Sequence, residues 1–145
     1  MPGGMWDKRR QEQSVCRAVG AILSDPLIES SELRLLAEIG LLGISKDMAQ
    51  DARPVFECLK ALRPEQETGY VGLALAAMAE NDAQGAYDIL KSAPATDAVS
   101  AFKVLALKQS GQDKAARLNA EDLQQSASGS VFAEMAMEAA GGDAK

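Results

Sequence analysis

The chain has 145 residues, 47% of them hydrophobic, which suits one domain burying about 68–70% of its unfolded surface. A formal net charge of −6, with no basic stretch beyond Lys8-Arg9-Arg10, argues against nucleic acid or an anionic membrane as the main partner. Histidine is absent and the two cysteines, Cys16 and Cys58, are far apart, which excludes Cys/His zinc sites and histidine-based acid–base or triad chemistry.

In chain order, residues 1–30 read as an N-terminal extension. The segment MPGGMWDKRRQEQ has no apolar h-region, so no signal peptide is expected. Val15, Ala18, Val19, Ile22 and Leu23 fall on one helical face and give the extension one weak amphipathic helix. Asp25-Pro26 breaks that pattern, because the residue before proline avoids the α region; the same pair can open the next helix. No apolar run approaches the ~20 residues of a membrane span. Both cysteines read as small packing residues of a reducing compartment. The protein is expected to be cytoplasmic.

Residues 31–140 are expected to form one helical domain. A first helix runs from about Ser31 to Ile44 and is apolar nearly all round (Leu33, Leu35, Leu36, Ile39, Leu41, Leu42, Ile44), implying burial on two sides. After a turn over Ser45–Asp51, with Asp51 as N-cap, the second helix is expected from Ala52 to Leu62 or Arg63. That start leaves Pro54 in the first turn, where unpaired N–H groups are normal, and Pro64 stops the helix. Further helices are expected over about Glu67–Glu80, Ala83–Ser92, Thr96–Gln109 and Gln112–Gln125. A last one over Val131–Ala140 is stopped by Gly141-Gly142 and seals the open end. Residues 141–145 are expected to be a disordered tail.

A fixed period relates these helices. Leu36-x2-Ile39-Gly40-x2-Gly43, then Ala52-x3-Phe56, recurs 34 residues later as Tyr70-x2-Leu73-Ala74-x2-Ala77, then Ala86-x3-Leu90. The spacing is that of the tetratricopeptide (TPR) signature. Pro94 shortens the second unit, and Ala116 follows Ala86 by 30 residues rather than 34. Small residues at Gly40, Ala52, Ala74 and Ala86 would let two antiparallel helices cross closely, with Phe56 and Leu90 filling the space beside them. The expected fold is therefore all-α: a TPR-like stack of about three antiparallel helical hairpins with a C-terminal capping helix.

No glycine-rich phosphate loop, nucleophile elbow or metal loop is present. Glu38, Glu57, Glu65 and Glu67 stand among polar or surface positions. The chain is thus read as a non-enzyme with no cofactor and no metal. In the TPR register the second, fifth, ninth and twelfth positions of each first helix face the concave side, and the last three of these are singled out. They are Ala37, Leu41 and Ile44, then Val71, Leu75 and Met78, then Ala101, Leu105 and Lys108. All but Lys108 are apolar. Either these residues are core, covered by a terminal helix such as Val15–Leu23, or they form an apolar groove for an amphipathic helix.

The segment Leu35-Leu36-Ala37-Glu38-Ile39-Gly40-Leu41-Leu42-Gly43, with the alanine-led helix and the second hairpin after it, resembles the TPR-like chaperones of bacterial type III secretion needle subunits. Leu59–Pro64 and Asn81–Leu90 are similar to the small Hrp-type TPR-like secretion proteins. The resemblance covers about Leu33 to Gln125. It implies a cytoplasmic chaperone that, with a small helical co-chaperone, holds a secreted needle-type subunit and prevents premature polymerisation. The subunit's C-terminal amphipathic helix would lie on Ala37, Leu41, Ile44, Val71, Leu75, Met78, Ala101 and Leu105. The roughly 30-residue extension and Pro54 depart from the family, and Val15–Leu23 could occupy part of the co-chaperone's surface. A TPR adaptor for another assembly, or a non-catalytic subunit of an enzyme, is the alternative.

Overall fold

A computed structural model describes residues 30–141. Among them are seven helices and no strand: α1 (Ser30–Ser45), α2 (Ala49–Leu62), α3 (Thr68–Ala79), α4 (Ala83–Lys91), α5 (Asp97–Gln109), α6 (Asp113–Ser126) and α7 (Val131–Gly141). Gly141, expected to open the tail, is instead the last residue of α7; residues 142–145 and the expected helix at Val15–Leu23 lie outside the described residues.

Each hairpin is built by the same turn. Asp47, Asn81 and Gly111 have φ of 66°, 63° and 82°, a left-handed conformation that Asn, Asp and Gly tolerate best. At each turn two backbone bonds close a Schellman motif. Met48 N–H donates to the Gly43 carbonyl, Asp82 N–H to Ala77 and Gln112 N–H to Leu107, at 2.9, 2.8 and 2.9 Å. The preceding N–H groups of Asp47, Asn81 and Gly111 reach Ile44, Met78 and Lys108. The turns recur at the 34-then-30 spacing of the sequence. The loss of four is net: α4 has 9 residues, five fewer than the 14 of α2, and α5 has 13, one more than the 12 of α3. Four residues are about one helical turn, so the shortening leaves the packing face unchanged.

The second helix departs from expectation at its start. It begins at Ala49, and Met48 rather than Asp51 occupies the N-cap, with no side-chain cap. The Schellman turn launches α2 at once, and Ala52 N–H already donates to the Met48 carbonyl at 3.0 Å. Pro54 is consequently inside the helix, where proline costs about 3 kcal/mol. The carbonyl that it cannot serve belongs to Gln50, an exposed residue, so water can replace the lost donor.

Packing follows the hairpin period. Every helix packs on the next in sequence; in addition α1 packs on α3, α3 on α5 and α5 on α7, whereas α2, α4 and α6 do not touch one another. The first helices of the hairpins therefore draw together and line the concave side. Each section of core is one hairpin plus the first helix of the next. Leu33, Ala37, Ala52, Phe56 and Leu59 join Leu73 of α3, and Ala74, Ala77, Ala86 and Leu90 join Val99 and Ala106 of α5. Ala101, Val104, Leu107, Ala116, Ala120 and Leu123 join Ala133, Ala136 and Ala140 of α7. The last helix thus closes the third section, as a capping helix should.

The crossings are tight because the residues there are small. A β-carbon on Gly40 would lie 2.7 Å from the Phe56 ring, and Ala74 and Ala86 have no exposed surface. Ala86→Leu is accordingly expected to cost on the order of 1–3 kcal/mol by overpacking. Chemical denaturation checks this: the midpoint should fall, and an unchanged midpoint would remove Ala86 from the crossing.

Candidate functional site: an apolar groove between the inner helices

Four inner helices contribute to one pocket of about 200 Å³ on the concave side. Val71 and Gly72 of α3 and Ala98 and Phe102 of α5 form its floor, with the Phe56 ring behind; Leu41 of α1 and Phe132 of α7 stand at its rims. The rims are open to solvent, Leu41 at 42% and Phe132 at 37% of their surface. Side chains from the first and last inner helices meet at one pocket, so the concave side is narrow.

One end of the pocket is polar. Glu67 and Thr68 line it, and the Glu67 carboxylate accepts the Thr96 hydroxyl hydrogen bond. The same Thr96 oxygen caps α5 by accepting from Val99 N–H at 3.2 Å. These two bonds join the start of α5 to the start of α3. A second cavity, of about 240 Å³, opens where the starts of α1 and α3 meet the end of α2, lined by Leu33, Arg34, Ala37, Leu59 and Arg63 among others.

The structure separates the residues that the sequence register grouped together. Leu41 and Val71 line the concave pocket. Ala37 and Ala101 do not present a surface to it: they are 6% and 0% exposed and belong to the core of hairpins one and three. Ile44 and Met78 are half-buried against the cores of hairpins one and two, and the Met78 carbonyl also accepts the Gln109 side-chain amide at 3.0 Å. Leu75 and Leu105 are half-buried and are not among the residues lining the pocket. Lys108, the one charged member of the register, pairs with Asp113 at 3.3 Å across the α5–α6 turn.

Of the nine lining residues only Leu41 and Val71 are among the candidates of the sequence reading; Phe56, Glu67, Thr68, Gly72, Ala98, Phe102 and Phe132 are not. Ala98 stands at the second position of its helix, a groove-facing position of the register. Phe102 occupies the sixth, equivalent to Gly72, which is small in the repeat before. Phe132 read as part of the capping helix, and nothing in its own segment places it opposite Leu41.

Chemically, the pocket accepts apolar groups. No buried residue among those described is polar or charged, and none of their buried side-chain nitrogen or oxygen atoms lacks a hydrogen-bond partner. Among the described residues no group of three or more His, Cys, Asp or Glu is placed to hold a metal ion, and no helix is long and apolar enough to cross a membrane. Cys58 is half-buried on α2, while Cys16 lies outside the described residues. Comparison of the chain with protein-family models, with curated proteins and with solved structures finds no match.

Proposed function

We propose that this protein is a chaperone of the type III secretion kind, which holds an amphipathic helix of a needle-type subunit against its concave groove and keeps that subunit from polymerising. The observation that carries this reading is the apolar pocket walled by α1, α3, α5 and α7, with Leu41 and Phe132 standing open at its rims. Its volume falls below the roughly 300–1,000 Å³ of pockets that enclose a small ligand. It suits one anchor side chain of a helix laid along the groove, the rest of that helix resting on half-buried Leu75 and Leu105. Burying such an anchor yields about 1.5–3 kcal/mol, part of which is offset by ordering the partner. The sequence resemblance supplies the class of partner.

The experiment is polymerisation of a needle-type subunit, followed by light scattering, with and without one equivalent of the full chain. The expected result is suppression of polymerisation and recovery of a stoichiometric complex by size exclusion. Unchanged polymerisation at equimolar chain, with no complex, would refute the reading.

A further inference from the structure

An open apolar stripe also runs along α1. Leu35, Ile39 and Leu42 are 57%, 52% and 58% exposed, and their spacing sets them in one stripe. In the hairpin register the equivalent residues are Gly69, Leu73 and Ala76 on α3, and Val99, Lys103 and Ala106 on α5. All of these are buried except Lys103, which is half-buried. What covers them is the preceding hairpin: a β-carbon on Gly69 would meet the Lys60 backbone of α2 at 2.5 Å. Likewise Leu73 packs with Phe56 and Leu59, and Val99 with Ala86 and Leu90. The bare stripe of α1 is thus the face that, on α3 and α5, receives the second helix of the hairpin before.

The chain carries a segment that matches this vacancy. The buried pairs Ala52-x3-Phe56 and Ala86-x3-Leu90 continue backward at the same period of 34 to Ala18-x3-Ile22. Pro26 follows Ile22 by four residues, as Pro94 follows Leu90. Residues 24–29 then join the segment to α1, close in length to the connectors 63–67 and 92–96 that lead into α3 and α5. Val15, Val19 and Leu23 add apolar groups to the same face of that segment.

We propose that residues 15–23 form the second helix of an additional N-terminal half-hairpin and dock in cis, antiparallel, on Leu35, Ile39 and Leu42. The occupant of the stripe is this segment of the same chain, and the concave groove stays uncovered. The assignment rests on the repeat register and is independent of the chaperone reading.

Amide hydrogen exchange of the full chain tests it. The expected result is slow exchange across residues 15–23, lost in the Leu35→Asp/Ile39→Asp double variant while α3–α7 keep their protection. Both positions are exposed, so the described helices should tolerate the change. Val19→Asp, which alters no described helix, should abolish the same protection. Exchange at the rate of an unstructured chain in the wild type would overturn the proposal, as would protection that survives these variants. Protection that disappears on dilution together with a dimer in sedimentation would also overturn it, since the stripe would then belong to a second copy.

Discussion

Phe56→Ala is expected to lower the unfolding free energy by about 3–5 kcal/mol, the range for a large aromatic removed from a packed core. The ring has no exposed surface. It lies between α1 and α3, so close that neither Gly40 nor Gly72 has room for a β-carbon beside it. Its loss leaves a hole where three helices meet, and two glycines have no side chains with which to refill it. Against a typical domain stability of about 5–15 kcal/mol, this is a large share of the total. Urea denaturation measures it; a loss below about 1 kcal/mol would show that the ring does not wedge the first hairpin against the second.

The complementary change, Gly72→Ala, sets two effects of opposite sign against each other. Helix propensity alone favours alanine over glycine by about 1 kcal/mol, which predicts a more stable protein. Packing predicts the reverse, because a β-carbon at position 72 would lie 1.9 Å from the Phe56 ring. The whole ring is the obstacle, buried and held on both sides, so overpacking should win and cost on the order of 1–3 kcal/mol net. Combining Gly72→Ala with Phe56→Leu should cost less than the sum of the two single changes, since the smaller side chain vacates the space. Strict additivity, or a gain from Gly72→Ala alone, would contradict the contact.

These two positions also mark what the sequence makes legible. The recurrence of Gly40, Ala74 and the alanine-led helices reveals the hairpins because close crossing demands small residues at a fixed spacing. The residues that turn the chain, Asp47, Asn81 and Gly111, keep that spacing for a local backbone reason. Pro54 misleads because its cost is local, whereas the start of α2 is set by the turn before it. The groove is legible at the level of helices and less so at the level of side chains. Ala37, Val71 and Ala101 share one register position, yet the alanines are buried and Val71 is half-buried at the pocket floor. Phe132 faces Leu41 through the curvature of the whole stack, which no local pattern encodes.

The measurement that bears most directly on the groove is a titration of the full chain with a fluorescent peptide of a needle subunit's C-terminal amphipathic helix. Saturable one-site binding is expected for the wild type. Leu41→Asp and Phe132→Asp change exposed rim residues, so helicity should persist while affinity falls. Losing one apolar anchor contact of about 1.5–3 kcal/mol corresponds to binding roughly 10- to 100-fold weaker, and a buried charge would add to that loss. Glu57→Lys, on the exposed face of α2, should leave affinity unchanged. Equal binding by the wild type and both rim variants, or equal weakening by Glu57→Lys, would contradict a ligand helix anchored between α1 and α7.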